Sequence, residues 1–380
     1  MTKPKVLLVA VGGYGSKYLV EMTEKDTGGE LVGIVEVMPD IRQKFPVIDE
    51  RSIPLYTSLE DFYAHHTADL AVISSPIHLH TEMVLTCLRH GSNVLCEKPL
   101  CLTEEEADRM AACAEETGHF LAIGYQLNYD RRVLAMKRDI LSGKLGAPVR
   151  MRVVHAMRRG MKYYARNNWA GHIIADGREV MDSPFNNACA HNFQMMTFLL
   201  GPDMASSCAI ERVDAELWRG NATVENFDIA ALRFVTSGGT PILYYTAHPL
   251  ASKNLGPIGR LEFENGVITY TKDDIYRAEL KDGTVIDYGD LPETPLLQKL
   301  YDCIACCQGG PLPTCTVAAE HSHIQAVRMV QQHPIRDVDP GHITMLEENG
   351  DTFPLVRHLE EVFLRSAEAW ALPGELGLTL

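Results

Sequence analysis

Short apolar segments alternate with helical segments through the first third of this 380-residue chain. The apolar run 6–11 leads into a glycine-rich turn and a helical stretch, and similar runs lie at 31–37, 69–74, 93–96 and 120–124. Apolar runs of this length, without polar alternation, are typical of strands that are buried on both faces of a parallel sheet. Strands that alternate with helices in this way predict a doubly wound α/β sheet of the Rossmann type.

The pattern changes near residue 147, where strand-like runs begin to follow one another. These runs lie at 149–157, 207–213, 227–236, 241–247 and 259–271, and helical patterns lie at 184–200, 295–306 and 317–332. Turn signals such as Asn265-Gly266 between the runs are typical of hairpins. We therefore predict a Rossmann domain over residues 1–147 and an α+β domain with a mainly antiparallel open sheet over 148–380, whose C-terminal helices could pack back on the first domain.

The charge balance argues against two classes of partner. The chain carries 35 Lys and Arg against 50 Asp and Glu, a net charge of −15, whereas nucleic acids and anionic membranes bind clustered basic residues. No apolar run reaches the roughly 18 residues of a membrane span, and the N-terminus lacks a secretory h-region. We expect a cytoplasmic protein that binds neither nucleic acid nor membrane.

The cysteines and histidines show no metal-binding pattern. Of the ten cysteines, Cys303 and Cys306 form one isolated C-x-x-C without the second pair that a zinc site requires. Many of the others lie in apolar runs, so we expect reduced, buried thiols. His155 and His172 lie near the histidines discussed below, but the spacing matches no metal motif and we predict no metal.

The turn after the first strand carries a nucleotide-binding signature. Residues 10–15 fit the G-x-G-x-x-G fingerprint with Ala10 in the first place. Gly12 would let the backbone approach a pyrophosphate, and Gly15 would let the helix lie close to the strand. Together with Gly13 and Tyr14, these residues place the phosphates at a helix N-terminus, where N–H groups and the helix dipole favour anions.

Glu36 strengthens this interpretation because it ends the second strand, about 20 residues after the turn, where an acidic residue binds the adenosine ribose. A carboxylate there repels a 2′-phosphate, so NAD is predicted and NADP is less favoured. Arg42 is the nearest basic residue and could weaken that preference. The alternative interpretation is a structural turn with an exposed glutamate.

Lys98 and His191 are the candidate catalytic groups. Lys98 lies at the carboxyl end of a sheet strand, where open α/β sheets bind ligands, and it could stabilise a developing alkoxide. From spacing alone, an ion pair with Glu97 remains open. His191 lies on the predicted helix 184–200, which Ser183 would cap, and it could serve as a general acid/base or as a core histidine.

Three segments carry a family resemblance. Ser75-Pro-Ile-His-Leu-His80 follows the third strand, Cys96-Glu-Lys-Pro-Leu100 follows the fourth, and 187–201 contains His191 and ends in Leu-Leu-Gly. With the opening fingerprint, these segments resemble the Gfo/Idh/MocA oxidoreductases, the glucose-fructose oxidoreductase and inositol dehydrogenase family. The Glu-Lys-Pro tripeptide is the most specific of these marks, and the resemblance covers most of the chain.

The resemblance implies an NAD-dependent oxidoreductase that takes hydride from a secondary hydroxyl of a sugar, glycoside or cyclitol. Lys98 would polarise the hydroxyl and His191 would act as general acid/base, and a homo-oligomer is implied. The cofactor-binding candidates are Gly12, Gly13, Tyr14, Gly15, Glu36, Ser75, Pro76, His78, His80, Glu97, Lys98 and Gln126. The substrate-binding candidates are Lys98, Tyr164, Arg166, Asn167, Trp169, Asn187, His191 and His248.

The segment 163–171 supports these substrate candidates, since aromatic faces beside amide and guanidinium donors suit a polyhydroxylated ring. A surface loop at a subunit contact remains the alternative.

Asn187 departs from the family pattern. It stands four residues before His191, where the resemblance leads one to expect Asp, and Gln194 stands three residues after it. An amide can hydrogen-bond a sugar hydroxyl but cannot pair with an imidazolium, so Lys98 and His191 would carry the proton while Asn187 positions substrate. Asp182 precedes the helix and need not point inward. The departure keeps open a non-catalytic protein that senses sugars or dinucleotides on the same fold.

Overall fold

A computed structural model describes residues 2–271, 276–378 and 380. The chain divides into two compact units, one formed by Met1–Tyr129 with Thr294–Glu320 and the other by Asp130–Glu293 with His321–Leu380. The domain boundary proposed at residue 147 stays a prediction.

The first unit is built on a parallel sheet with strand order β3-β2-β1-β4-β5-β6. Its strands are β1 (Lys5–Val9), β2 (Glu30–Val35), β3 (Leu55–Tyr56), β4 (Leu70–Ile73), β5 (Asn93–Cys96) and β6 (Leu121–Ile123). The order runs outward from β1 in both directions, which is the doubly wound arrangement that the strand-helix alternation predicts. The predicted Rossmann fold is confirmed.

Helices follow the strands of this sheet. They are α1 (Ser16–Glu24), α2 (Ile41–Lys44), α3 (Val47–Glu50), α4 (Leu59–His65), α5 (Ile77–Arg89) and α6 (Glu104–Thr117), with a 3₁₀ turn at Gln126–Tyr129. α6 is capped at both ends, since the Thr103 hydroxyl accepts a hydrogen bond from the Glu106 N–H and Gly118 has φ 69°. α5 begins at Ile77, directly after Pro76 with φ −58°.

The second unit contains a mixed, mainly antiparallel sheet with order β16-β15-β14-β13-β7-β12-β11-β10-β17. Only the β7–β12 and β10–β17 pairs among the described residues of this sheet are parallel. Its strands are β7 (Pro148–Met157), β10 (Ile210–Arg219), β11 (Ile229–Thr236), β12 (Pro241–Ala247), β13 (Asn254–Phe263), β14 (Gly266–Thr271), β15 (Tyr276–Leu280), β16 (Val285–Asp287) and β17 (Ile335–Asp337). Two separate hairpins pair β8 (Ile174–Ala175) with β9 (Arg178–Glu179), and β18 (Ile343–Glu348) with β19 (Asp351–Val356). The predicted α+β class is confirmed.

The helices after residue 130 are α7 (Arg131–Leu141), α8 (Met161–Ala165), α9 (Ala190–Leu199), α10 (Gln298–Cys307), α11 (Val317–Val330) and α12 (Leu359–Ala369). Short 3₁₀ turns lie at Tyr288–Asp290, Pro340–His342 and Pro373–Leu376. α10 belongs to the first unit, because Leu297, Leu300 and Ile304 are buried in the same apolar core as β1 and α1. In the second unit, α12 contributes Phe363 to a core that includes Tyr245 of β12.

The predicted helix 184–200 is wrong as a continuous element. Pro184–Ala188 forms a π-helical turn, Cys189 breaks the helix with φ −110° and ψ 11°, and α9 follows. The Tyr244 hydroxyl donates a hydrogen bond to the Cys189 carbonyl, which directs that carbonyl out of the helical ladder. The predicted cap is confirmed, since the Ser183 hydroxyl accepts a hydrogen bond from the Asn186 N–H at 3.1 Å.

A buried lysine holds the C-terminal end of α9. The Lys137 ammonium is fully buried and donates to the carbonyls of Phe198, at 2.6 Å, and Ser206, at 2.7 Å. Cations at a helix C-terminus satisfy carbonyls that have no partner in the helix. Gly201 follows, and a Cβ there would lie 1.8 Å from the Ser206 carbonyl oxygen, so the chain needs glycine at this crossing.

Each of the ten cysteines, all in the described part of the chain, is a free thiol. No helix among the described residues is both long enough and apolar enough to cross a lipid bilayer.

Candidate active site

The glycines of the turn between β1 and α1 differ in the free space around them. A Cβ at Gly15 would lie 2.1 Å from the Ala10 carbonyl oxygen, so only glycine lets α1 approach β1 this closely. A Cβ at Gly13 meets nothing within 4 Å. Ala10 itself has φ 64°, a left-handed conformation that favours the glycine of the usual fingerprint.

The Glu36 carboxylate lies beside this turn. It accepts hydrogen bonds from the N–H groups of Gly12, at 2.8 Å, Val37, at 2.8 Å, and Met38, at 3.1 Å. A carboxylate has about four acceptor positions, so these bonds orient Glu36 and leave it acceptor capacity. Because the Gly12 N–H fixes it at the end of β2, the exposed-glutamate interpretation is wrong.

Lys44 is the basic residue nearest to the turn, where the sequence pointed to Arg42. The exposed Lys44 ammonium donates to the Gly12 carbonyl at 2.7 Å, whereas Arg42 pairs with Asp49. Both basic residues follow Glu36 by a few positions. The sequence could not show which of them reaches the turn, since the direction of each side chain depends on the short helices α2 and α3.

His80 joins the loops that follow β4 and β5. Its Nδ1 lies 3.0 Å from the Pro99 carbonyl oxygen, and its Nε2 lies 2.8 Å from the Ser75 carbonyl oxygen. Burial lowers the pKa of His80, while the carbonyls act in the opposite direction. With only 1% of its surface exposed, the His80 side chain holds the loops in place.

The other candidates of this segment lie at the start of α5. Ser75 is buried, Pro76 directly precedes the helix, and His78 is half-buried in its first turn. They line the carboxyl end of β4, the edge at which parallel sheets bind ligands.

Glu97 faces the interior of the first unit. Its carboxylate accepts hydrogen bonds from the Tyr18 hydroxyl, at 2.6 Å, and from the buried ammonium of Lys299 in α10. Lys299 also donates to the Gly124 carbonyl at 2.8 Å. Glu97 is therefore paired with Lys299, which sequence reasoning missed because the two residues lie 202 positions apart.

Lys98 is the second residue after β5 and is half-buried. The loop behind it is fixed by Glu320, whose carboxylate accepts a hydrogen bond from the Leu100 N–H at 2.8 Å. Gln126 follows the neighbouring strand β6, at the start of a 3₁₀ turn, and is also half-buried. The ends of β5 and β6 thus place Lys98 and Gln126 at one edge of the sheet.

In the second unit, Asp182 points inward and holds Asn187. The Asn187 amide nitrogen donates to Asp182 at 2.8 Å, and the Gly171 N–H donates to the other carboxylate oxygen at 2.7 Å. Asp182 is 2% exposed. Asp182 thus places a buried carboxylate beside the Asn187 amide, and the bond orients that amide so that its oxygen points away from Asp182.

His191 lies in the first turn of α9 and is half-buried, as is Asn187. Gln194 is fully buried, so it belongs to the interior of the unit. The π turn changes the spacing between positions 187 and 191, because the regular i, i+4 relation holds only within an unbroken α-helix.

The segment 163–171 combines an arginine packed against aromatic rings with a structural turn. The Arg166 guanidinium lies 3.5 Å from the centre of the Tyr163 ring and 5.2 Å from that of Trp169. The Asn167 side-chain oxygen accepts hydrogen bonds from the N–H groups of Trp169, at 3.2 Å, and Ala170, at 2.8 Å. Asn167 thus shapes the loop that presents Arg166 and Trp169.

His248 is buried under the aromatic rings of this segment. Its Nδ1 donates to the Met157 carbonyl at 2.8 Å, and its ring centre lies 5.6 Å from that of Tyr163 and 6.2 Å from that of Tyr164. Burial lowers the pKa of His248 to about 3, so it is neutral at physiological pH. Its ring therefore packs beneath the tyrosines.

The first unit contains a region that matches a protein-family model. Residues 5–125 match the family model described as "Oxidoreductase family, NAD-binding Rossmann fold", the Gfo/Idh/MocA model. The matched region contains the turn, Glu36 and Lys98. Residues 5–125 thus resemble the NAD-binding region of the Gfo/Idh/MocA oxidoreductases.

Relatives by sequence include enzymes of sugars and cyclitols. The 1,5-anhydro-D-fructose reductase of Ensifer adhaerens is 29% identical over 213 residues, 55% of this chain and 59% of the reductase. The inositol 2-dehydrogenase of Rubrobacter xylanophilus is 30% identical over 149 residues, 39% of this chain and 42% of the dehydrogenase. The chain spans about half the length of the curated relatives it matches.

Solved structures share the fold over most of the chain. The WlbA dehydrogenase of Bordetella pertussis, in complex with NADH and UDP-GlcNAcA, superimposes with a TM-score of 0.70 at 20% identity. The alignment covers 87% of this chain and 97% of the dehydrogenase. At this identity the likeness concerns the fold alone.

Proposed function

We propose that the protein is an NAD-dependent oxidoreductase that takes hydride from a secondary hydroxyl of a sugar, glycoside or cyclitol. The observation that carries the proposal is the turn at residues 10–15 with Glu36 hydrogen-bonded to it, inside a region that matches an NAD-binding family model. Enzymes of an anhydrofructose and of inositol among the relatives support the substrate class.

The residues of the first unit fit a dinucleotide. The space beside Gly13 admits a pyrophosphate, and the first turn of α1 contains no acidic residue that would repel it. Glu36 would accept hydrogen bonds from the adenosine ribose, which favours NAD, and Ser75, Pro76, His78 and Gln126 would line the nicotinamide side. Glu97 and His80 would act through the loops they hold. When bound, the nicotinamide supplies the hydride acceptor.

Lys98 and His191 would carry the proton chemistry. The Lys98 ammonium would donate a hydrogen bond to the substrate hydroxyl and stabilise the developing alkoxide. His191 would remove the proton, with Asn187, held by Asp182, orienting the hydroxyl through its amide oxygen. Tyr164, Arg166, Asn167 and Trp169 would form the sugar-binding loop, with His248 as its support.

Nicotinamide reduction followed by absorbance, with NAD and NADP against a panel of inositols, aldoses, glycosides and nucleotide sugars, tests the proposal. We expect turnover with at least one polyol and a preference for NAD. His191→Asn should reduce kcat by roughly 10²–10⁴-fold, as expected for loss of a general acid/base. His342→Asn, at an exposed histidine, serves as the matched control.

Turnover in His191→Asn equal to that of the wild type would remove His191 from the mechanism. Saturable NAD binding without turnover on any substrate of the panel would favour the sensing alternative. We further propose a cytoplasmic homo-oligomer, which light scattering and fractionation test.

A further inference from the structure

Arg159 is a half-buried arginine of the second unit to which the proposed mechanism assigns no role. It lies two residues after β7, and its backbone N–H donates to the His248 carbonyl at 3.2 Å. Its Nε is buried and has no hydrogen-bond partner among the described residues. Within the same part of the chain, its other N–H groups make only long contacts, at 3.5 Å to the Arg158 carbonyl and at 3.9 Å to the Met157 sulfur. Most of the five donors of this guanidinium are therefore unused.

A second arginine lies against the same tyrosine ring as Arg159. The Arg159 Cζ lies 4.9 Å from the centre of the Tyr163 ring, and the Arg166 Cζ lies 3.5 Å from it. One aromatic ring thus holds two positive charges close together through cation–π contacts. Arg166 is exposed and donates to the Tyr163 carbonyl at 3.1 Å, so a ligand can approach the pair from solvent.

The two guanidinium groups have no counter-charge from the described residues. Neither Arg159 nor Arg166 forms an ion pair with any of the described carboxylates, although the chain has a net charge of −15. The adjacent Arg158, by contrast, pairs with Glu348. Two neighbouring like charges repel each other, and an anion bound between them relieves that repulsion.

The two buried carboxylates that act electrostatically on the tyrosines of α8 are satisfied by other donors. Asp182 accepts hydrogen bonds from the Asn187 amide at 2.8 Å and from the Gly171 N–H at 2.7 Å. Asp228 accepts hydrogen bonds from two backbone N–H groups, at 2.7 and 2.8 Å. Neither carboxylate therefore neutralises the arginine pair.

Arg159 follows a strand that packs against the helix of the proposed catalytic histidine. The Nδ1 of His155, on β7, lies 2.9 Å from the Asn192 amide nitrogen. Asn192 is the residue after His191 in α9. Burial and, less strongly, the charge of Arg159 lower the pKa of His155 to about 4 and that of His248 to about 3. Both rings are neutral at physiological pH, so the positive charge of this region comes from the arginines.

An oxyanion is the kind of ligand that this arrangement fits. A guanidinium presents its N–H donors in a planar fork that matches two oxygens of a carboxylate or a phosphate. It has no acceptor, whereas a sugar hydroxyl both donates and accepts. Because the Tyr163 ring already holds both side chains, ordering them on binding costs less free energy.

We propose that Arg159 and Arg166 bind an anionic substituent of the substrate, a carboxylate or a phosphate ester. The inference rests on the proposed function and narrows its substrate class to acidic sugars. It adds Arg159 to the substrate-binding residues, and it assigns to Arg166 the recognition of charge.

Equilibrium binding by calorimetry, with and without NAD, tests the inference independently of turnover. The probes are hexuronates and hexose 6-phosphates, each compared with an uncharged counterpart, the hexuronamide or the parent hexose. We expect at least one acidic sugar to bind about 10–100-fold more tightly than its counterpart, since hydrogen bonds between charged groups are stronger than neutral ones. A preference confined to uronates or to phosphates supports the inference and identifies the anion.

Substitutions assign that preference to the arginine pair. Arg159→Gln and Arg166→Gln should each reduce the preference for the acidic sugar by about tenfold. Arg138→Gln, at an exposed arginine in α7, removes the same charge and should leave the preference unchanged. If Arg159→Gln does not fold, Arg159→Lys keeps the charge without the fork and should give a smaller reduction. Arg166→Gln, at an exposed residue, tests the pair independently of folding.

A wild type that binds no acidic sugar of the panel, or that binds the uncharged counterparts as tightly, would overturn the inference. A wild-type preference in Arg166→Gln would overturn it as well. Binding of an acidic sugar that depends on the arginines, without nicotinamide reduction, would refute the proposed function and support the anion site. Oxidation of neutral sugars alone would support the proposed function and refute the anion site.

Discussion

Substitution by alanine, which adds one methyl group, distinguishes the glycines of the nucleotide turn. Gly15→Ala would place a Cβ 2.1 Å from a backbone oxygen, so we expect a lower Tm and loss of NAD binding by calorimetry. Gly13→Ala has open space and should keep the wild-type Tm, but it should lower NAD affinity if the pyrophosphate lies there. Wild-type NAD affinity in Gly15→Ala would contradict this account of the turn.

The hydrogen bond between Asn187 and Asp182 allows a second test at single residues. Asn187→Asp restores the residue that the family pattern has, but it places two carboxylates at the distance of a hydrogen bond. We expect urea unfolding at pH 7 to show a loss of about 1–3 kcal/mol, since the buried Asp182 loses a donor and gains a like charge.

The loss should shrink at low pH, where one carboxyl takes up a proton and can again donate a hydrogen bond. The double variant Asp182→Asn/Asn187→Asp should recover part of the stability, because it restores one amide and one carboxylate. Equal stability of Asn187→Asp and the wild type at pH 7 would contradict the assigned hydrogen bond.

At the scale of elements, α9 depends on a buried cation at its C-terminal end. Lys137→Met removes the donor to the Phe198 and Ser206 carbonyls, and hydrogen bonds to charged groups contribute about 1.5–3 kcal/mol each. We expect a loss of that order in the free energy of unfolding. Lys144→Met, which removes an exposed lysine paired with Asp139, should change stability by less than about 1 kcal/mol. Equal effects of the two substitutions would show that Lys137 does not anchor α9.

Local signals predicted the elements that local interactions determine. The apolar runs identified β1 and β4–β6, and α6 begins after a capping threonine, Thr103, and ends at Gly118, which are signals that adjacent residues carry. The break in the helix 184–200 was not predictable from local signals, because it depends on a hydrogen bond from Tyr244, 55 residues away. The same holds for Asp182, whose inward direction follows from the loop 171–182 and not from helical spacing.

At the scale of the whole molecule, α10 returns to the first unit and pairs Lys299 with Glu97. The side chains are 1% and 10% exposed, and breaking a buried pair costs about 3–5 kcal/mol because one charge stays buried. Lys299→Met should therefore lower the Tm strongly, and Glu97→Gln/Lys299→Met should lose less than the sum of the single variants. Lys25→Met, which breaks an exposed pair with Glu21, is the control. Additive losses would contradict the pairing.

Sequence patterns predicted the fold class and the likeness of residues 5–125 to the Gfo/Idh/MocA family model, since strand-helix alternation and the Glu-Lys-Pro tripeptide are continuous in the chain. They could not predict the partners that Thr294–Glu320 brings to Glu97 and Leu100, because these contacts join residues more than 200 positions apart. The net charge of −15 describes the whole chain, whereas the proposed site would depend on local cations such as Lys98 and Lys44.

The most direct test of the central claim is hydride transfer itself. The protein is incubated with NAD and a polyol from the panel that carries deuterium at its secondary carbon, and the nicotinamide product is analysed by NMR. We predict deuterium on the nicotinamide ring of the reduced cofactor, and a strongly reduced yield in Lys98→Met but not in Lys281→Met, at an exposed turn. Saturable binding of NAD and polyol without any transfer of deuterium would contradict the assignment as an oxidoreductase.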